Sequence, residues 1–210
     1  MSDVFNWSVK QLIEVSASDS PTPGGGSVSS LAGSLAAAMV SMVGNLTVGK
    51  EKYKDVEADT KEILAEATDI IARLEQLVAA DIAEFSKFMA ALKLPKNTEE
   101  EKAERTRVMQ EVLKSATDTP MEIARTCLDI LKLAKRLSGI GNKGAISDVG
   151  VGAYLAEASL NSALLSVDIN LPMVKDEAYA ARVSAERNQL VEEARQLKEE
   201  AVAVVQERLK

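Results

Sequence analysis

Residues 27–48 read SVSSLAGSLAAAMVSMVGNLTV, about 22 residues without a single charge. A helix that is apolar or small all the way round has to be buried on all sides. Small side chains recur every four residues: Gly33, Ala37, Ser41 and Asn45 form one row, Ser30, Ser34 and Ala38 the next. Such rows let neighbouring backbones approach closely. The stretch is therefore expected to be the central helix of an all-helical domain, and it could cross a symmetry mate. Its length would also span a bilayer. Against a membrane span, about half of its residues are Ser, Ala, Gly, Thr or Asn, which drive insertion weakly, and no basic flank precedes it.

The residues just before it, Pro21-Thr22-Pro23-Gly24-Gly25-Gly26-Ser27, form a stiff and then flexible lead-in. The prolines favour extended backbone. Three glycines allow backbone N–H groups to approach another group closely. Ser27 is the expected N-cap. A helix N-terminus of this kind can take an anion or the polar edge of a ligand; a tight turn feeding a crowded helix explains the same residues. No Gly-Lys-Ser/Thr follows, so this is not a Walker loop, and it is not a dinucleotide fingerprint.

Working outward, a short helix is expected over 8–18, with Phe5 and Trp7 docking its start. A long helix follows over 55–92. Its seam runs Leu64, Ala67, Ile71, Leu74, Val78, Asp81, Phe85, Phe88, Leu92, alternating steps of three and four as a packed helix requires. Asp81 is the one polar member. A carboxylate on a core-facing stripe costs several kcal/mol unless it is paired or neutral. That makes Asp81 a functional candidate; a structural Asp pairing with a neighbouring element is the alternative. Glu66, Asp69, Glu75 and Glu84 fall elsewhere on the wheel and are expected to be solvated. After Leu94-Pro95, Thr98 and Glu101 form a capping box for a helix that bends at Pro120 and continues to 137. Lys102, Arg105 and Arg107 are expected on its solvated face. A second glycine-rich loop, SGIGNKGA over 138–145, leads to another small-residue helix, 149–170, capped by Ser147 or Asp148. A last helix fills 175–209. The two small-residue helices are expected to pack on each other, and no linker interrupts residues 1–210, which read as one helical domain.

Composition narrows the function. Hydrophobic residues make up 46% of the 210 and aromatic residues 3%, a balance that favours helices over sheets. A net charge of −7 argues against a nucleic-acid partner, which needs a basic face. The one cysteine, Cys127, allows no internal disulfide and fits a reducing cytoplasm; its apolar helical neighbours place it in the core. The polar N-terminus does not read as a signal peptide. There is no histidine, which removes Ser-His and Cys-His catalysis and argues against a zinc site. An enzyme of this composition needs a carboxylate or lysine of altered pKa as its acid–base group.

The run PTPGGGSVSSLAGSLAAAMVSMVGNLTVGKEKY resembles the start of the cyclodeaminase domain of formiminotransferase-cyclodeaminase, a family that also contains stand-alone bacterial methenyltetrahydrofolate cyclohydrolases. VAADIAEF, LPKNTEEEKAER, GNKGAISD and INLP resemble later blocks, in order, from about residue 5 to residue 205. The resemblance implies an all-helical up-and-down bundle that forms a homodimer, with a folate site beside the glycine-rich loops. It implies tetrahydrofolate as the carrier of the substrate carbon, with no metal and no membrane partner. It places the catalytic carboxylate on Asp81 and substrate contacts on Gly24, Gly25, Gly26, Ser27, Asn45, Lys50, Asn142, Ser147 and Asp148. Lys50, Lys52 and Lys143 become candidates for holding the glutamate tail, and Lys50 a neighbour that would lower the pKa of Asp81. One departure is Ser166, where relatives often carry Asn. Two reactions are expected, cyclodeamination of 5-formiminotetrahydrofolate first and hydrolysis of 5,10-methenyltetrahydrofolate close behind. A non-catalytic dimeric scaffold is the remaining alternative.

Overall fold

The computed structural model describes residues 4–210. All regular structure among them is helical. Helix α1 covers Val9–Ser16, α2 Gly25–Thr47, α3 Glu57–Leu92, α4 Glu99–Ile140, α5 Ile146–Asn170 and α6 Glu177–Leu209. Short 3-10 turns lie at Val4–Asn6, Glu51–Val56, Lys143–Ala145 and Leu171–Met173.

The helices run up and down. Leu64 packs at Gly44, Leu74 at Gly33 and Asp81 at Gly26, so α3 descends along α2 in the opposite sense. Ion pairs record the next turns: Arg136 of α4 reaches Glu62 and Glu66 of α3, Arg125 of α4 grips Glu186 of α6 through two nitrogens, and Arg187 of α6 holds Asp168 of α5. Arg208 ends α6 by donating to the carbonyls of Ser138 and Gly141, groups that the C-terminus of α4 would otherwise leave without partners. One contiguous apolar core, from Ala36 to Val205, joins α2 through α6. A smaller cluster of Val4, Val78 and Ile82 receives Phe5, Trp7 and Leu12, as expected for the N-terminal segment.

Helices α2 and α5 do meet. A side chain at Gly152 would come to 3.0 Å from the Ala36 carbonyl, so the absence of one lets the two backbones lie this close without strain. Cys127 is buried against Gly33, and burial pushes its thiol up to about 12. It is a core residue, as its neighbours in sequence suggest.

Three expectations change. Helix α2 begins at Gly25 with Gly24 as N-cap, so Ser27 lies inside the first turn and its hydroxyl is free for another partner. Helix α5 begins at Ile146 with Ala145 as N-cap and no side-chain cap; Ser147 and Asp148 are first-turn residues, because the Lys143–Ala145 turn already starts the winding. The expected continuation of α4 past Pro120 holds. Pro120 has no N–H for the carbonyl four residues back, and that carbonyl, on Ala116, instead accepts 2.9 Å from the Asn170 side-chain amide. Finally, α2 and α5 are central but not covered on all sides. Val28, Leu35, Met42 and Leu46 of α2 and Val151, Tyr154, Leu165 and Ile169 of α5 are exposed. Helix α2 has the length and hydropathy of a membrane span, with more than half of that window buried within the bundle.

Candidate active site

Helix α2 starts against the middle of α3, and the contact is made by Asp81. A Cβ at Gly26 would lie 2.2 Å from Asp81 Oδ1, so any side chain there would push the carboxylate aside. The Ser27 hydroxyl donates to Asp81 Oδ2 at 2.7 Å, and the Ser27 backbone N–H also acts on the carboxylate. The helix N-terminus proposed from sequence as an anion site is thus occupied from within the chain, by a carboxylate of the neighbouring helix. Burial pushes the Asp81 carboxyl above its ordinary range, and the Ser27 hydroxyl and N–H offset part of that rise. Lys50 plays no part in it.

Asp81 faces a cavity of about 350 Å³, within the usual size of small-molecule sites. Gly24, Gly25 and Gly26 form one wall with Pro21 and Thr22; the Thr22–Pro23 peptide bond in this turn is cis. Phe85 and Phe88, two of the three phenylalanines in the chain, form the second wall. Ala116, Ser166, Ile169, Asn170 and Met173 close the far side. Among the described residues, apart from its own chain neighbours and helix backbone, nothing lies within 4 Å of a Cβ at Gly25, so packing does not require glycine there, and the space it leaves opens on the cavity. The bond from Asn170 to Ala116 fixes that far wall.

Sequence reading missed Glu84. Its side chain is only 13% exposed and lines the same cavity one helical turn from Asp81. Ser115 donates to one of its oxygens at 2.5 Å and Lys87 to the other at 2.7 Å. Two carboxylates therefore face one apolar cleft. The helical wheel of α3 alone places Glu84 beside the seam; the partner that turns it inward is a serine on α4, which no local pattern reveals.

The remaining expected site residues lie elsewhere. Asn45, Lys50, Asn142, Lys143, Ser147 and Asp148 surround the other end of α2, roughly 28 Å from Gly26 at 1.5 Å per residue. Asn142 is a staple there: its N–H donates to Thr47 Oγ1, its side-chain NH2 to the Leu46 carbonyl, and its side-chain oxygen accepts from the Gly144 N–H. The Lys143 N–H donates to the Tyr53 hydroxyl, and Lys52 lies over the Tyr53 ring. Lys50, Lys143 and Ser147 are exposed. Within one chain none of these residues lines the cavity, because the two glycine-rich loops lie at opposite ends of the 23-residue α2.

Comparison with known proteins places this geometry. A family model described as formiminotransferase-cyclodeaminase matches residues 8–207. The chain belongs to that family. It is 40% identical to a methenyltetrahydrofolate cyclohydrolase of Methylorubrum extorquens over 97% of this chain and 98% of that one. It is 35% identical to formimidoyltransferase-cyclodeaminase of Gallus gallus over 90% of this chain, and spans about 35% of that longer protein. The crystal structure of formiminotetrahydrofolate cyclodeaminase from Thermotoga maritima is similar to it with a TM-score of 0.88 and 28% identity, covering 99% of this chain and all of that one. The all-helical bundle expected from sequence is the fold of this family.

Proposed function

We propose that the cleft between the α2 N-terminus and α3 binds a reduced folate with its one-carbon unit against Asp81, and that the chain hydrolyses 5,10-methenyltetrahydrofolate to 10-formyltetrahydrofolate. The chain is a folate one-carbon enzyme of the cyclodeaminase and cyclohydrolase family, which sets aside the scaffold reading. The observation that carries the site is a carboxylate at the floor of an apolar cleft, raised in pKa by burial and held by Gly26 and Ser27. The full-length match to a cyclohydrolase favours hydrolysis.

Water attacks the carbon between N5 and N10 of the methenyl cation, and Asp81 as carboxylate takes one proton from it. The tetrahedral adduct collapses as the bond from carbon to N5 breaks. Asp81 returns its proton to N5, and the hydroxyl proton of the adduct leaves to solvent as the formyl group forms. Glu84, fixed by Ser115 and Lys87, adds negative potential toward the cationic carbon. Gly24 and Gly25 give the ligand room, and Ser27 positions Asp81. Cyclodeamination is the second reading, favoured by the Thermotoga maritima structure. There N10 attacks the formimino carbon, Asp81 carries the N10 proton to the leaving nitrogen, and ammonia departs.

The far-end cluster joins this site only through a second copy. The exposed stripe on α2 and α5 is apolar and uncharged, so it is complementary to itself. Two copies packed antiparallel on it would bring the Asn142 end of one toward the Asp81 end of the other.

Absorbance at the methenyltetrahydrofolate band tests the proposal. Decay of added methenyltetrahydrofolate faster than the blank supports hydrolysis. Growth of the band from 5-formiminotetrahydrofolate with release of ammonia supports cyclodeamination. Neither rate above the blank rejects both.

A further inference from the structure

We infer that Arg105 and Lys175 form the subsite for the carboxylates of the folate glutamate tail. The inference rests on the folate reading of the Asp81 cleft. At Phe88 and Met173 that cleft adjoins a second cavity of about 300 Å³. Phe88 and Met173 line both, so the two adjoin at this pair, and a ligand extended from Asp81 over these side chains enters the second.

Sequence placed Arg105 with Lys102 and Arg107 on a solvated face. Lys102 and Arg107 do meet carboxylates there, Glu99 for the first and Glu104 and Glu111 for the second. Arg105 instead turns toward the end of α3 and lines the second cavity. Its Nη2 donates to the Leu92 carbonyl at 3.2 Å, while its Nε is buried without an acceptor. A buried donor without a partner is costly and uncommon. Among the described residues, no ion pair involves Arg105 or Lys175. Lys175, on the opposite rim, is exposed, and its backbone is fixed by Gln110, which also holds the Met173 carbonyl. The result is an apolar slot with two cationic side chains at its outer end that no ion pair among the described residues neutralises, the guanidinium already giving one bond to Leu92.

A guanidinium edge with two parallel donors matches a carboxylate. The spacing agrees with a folate. At 1.5 Å per residue the slot begins roughly 10 Å along α3 from Asp81, at Phe88, and reaches roughly 16 Å at Leu92. Ordinary bond lengths put the α-carboxylate of the first glutamate roughly 10 Å from N10, across the rigid aminobenzoyl unit. With the reacting carbon at Asp81, the benzoyl ring lies along Phe85 and Phe88 and the carboxylates reach Arg105. The Lys50, Lys52 and Lys143 group is too far away to serve a tail within the same chain.

The test is the ratio of dissociation constants for 5-formyltetrahydropteroate, which lacks the tail, and 5-formyltetrahydrofolate, measured by calorimetry. The wild type should bind the glutamylated ligand at least tenfold more tightly. Arg105→Gln should cut that ratio about tenfold, and Arg105→Lys should restore part of it. An unchanged ratio overturns the inference. So does equal weakening of both ligands, the mark of a purely structural bond to Leu92, and so does a wild type that binds neither. If Arg105→Gln does not fold, Lys175→Glu, on an exposed side chain, reads the same ratio: a drop of about threefold supports the subsite and no drop overturns it. Turnover in the methenyl assay separates the two proposals. Turnover with an Arg105-independent ratio removes only the tail site, and an Arg105-dependent ratio without turnover removes only the reaction.

Discussion

Asp81 is held by Ser27 at 2.7 Å and by the absence of a side chain at Gly26, and its chemistry depends on both. Asp81→Asn keeps the shape and removes the proton carrier; turnover should fall roughly 10²–10⁴-fold, as measured by initial rates at the methenyl band. The same change should raise stability near neutral pH, because an amide carries no charge into the cleft. The sign follows from the raised carboxyl pKa. Below the unfolded-state value both states are protonated and the buried acid costs least. As pH rises through the folded-state value the wild type loses stability that Asp81→Asn keeps. Denaturation curves of the two proteins should therefore converge in acid and diverge toward neutrality, and a constant gap would contradict this account. Gly26→Ala forces the Asp81 carboxylate aside, and a displacement of about 1 Å should cost roughly 10²-fold in turnover. Gly25→Ala, with open space around it, should leave thermal stability nearly unchanged while weakening ligand binding.

At the scale of the element, the long helix α4 shows how one backbone defect shapes a site. Pro120 frees the Ala116 carbonyl, and Asn170 at the end of α5 satisfies it. Ala116 and Asn170 both line the cleft, so this bond joins α4 to α5 on the wall facing Asp81. Asn170→Ala should destabilise the protein by about 1–3 kcal/mol, the cost of an unpaired carbonyl. In a Pro120→Ala background the helix can satisfy Ala116 itself, and the same substitution should cost less. A double-mutant cycle in urea measures the coupling; additive effects would show that the two residues act separately.

The whole molecule leaves one long face uncovered. Leu165 and Ile169 are 66% and 70% exposed, and the stripe continues along α2 through Leu35 and Met42. Exposed apolar patches of this extent are where chains commonly associate, and the proposed second copy would cover this one. Sedimentation should show a dimer, and Leu165→Glu should shift it toward monomer by placing like charges across the twofold axis. A monomeric wild type would reject the self-association. Loss of turnover in step with dissociation would place the Asn142 end of a second copy in the working site.

Sequence by itself determined the helices and singled out Asp81, the residue to which we assign the chemistry. Heptad-like spacing along α3 is a local property, and it marks Asp81 as the only polar side chain on a buried seam without any tertiary information. The capping box at Thr98 and Glu101 is local too and forms as read. Glycine-rich segments and small-residue rows likewise announce close backbone contact, which α2 and α5 make. What the folded chain alone decided is which of the polar residues share a space. The first glycine loop meets Asp81 and the second does not, because the up-and-down order puts them at opposite ends of one helix. Glu84 turns inward because the Ser115 hydroxyl of another helix donates to it there, and Arg105 turns away from its charged neighbours toward a carbonyl and a cavity. Periodicity reports the face of a helix on which a side chain lies. Only the packing of other helices against that face fixes whether it meets solvent, a partner or a ligand.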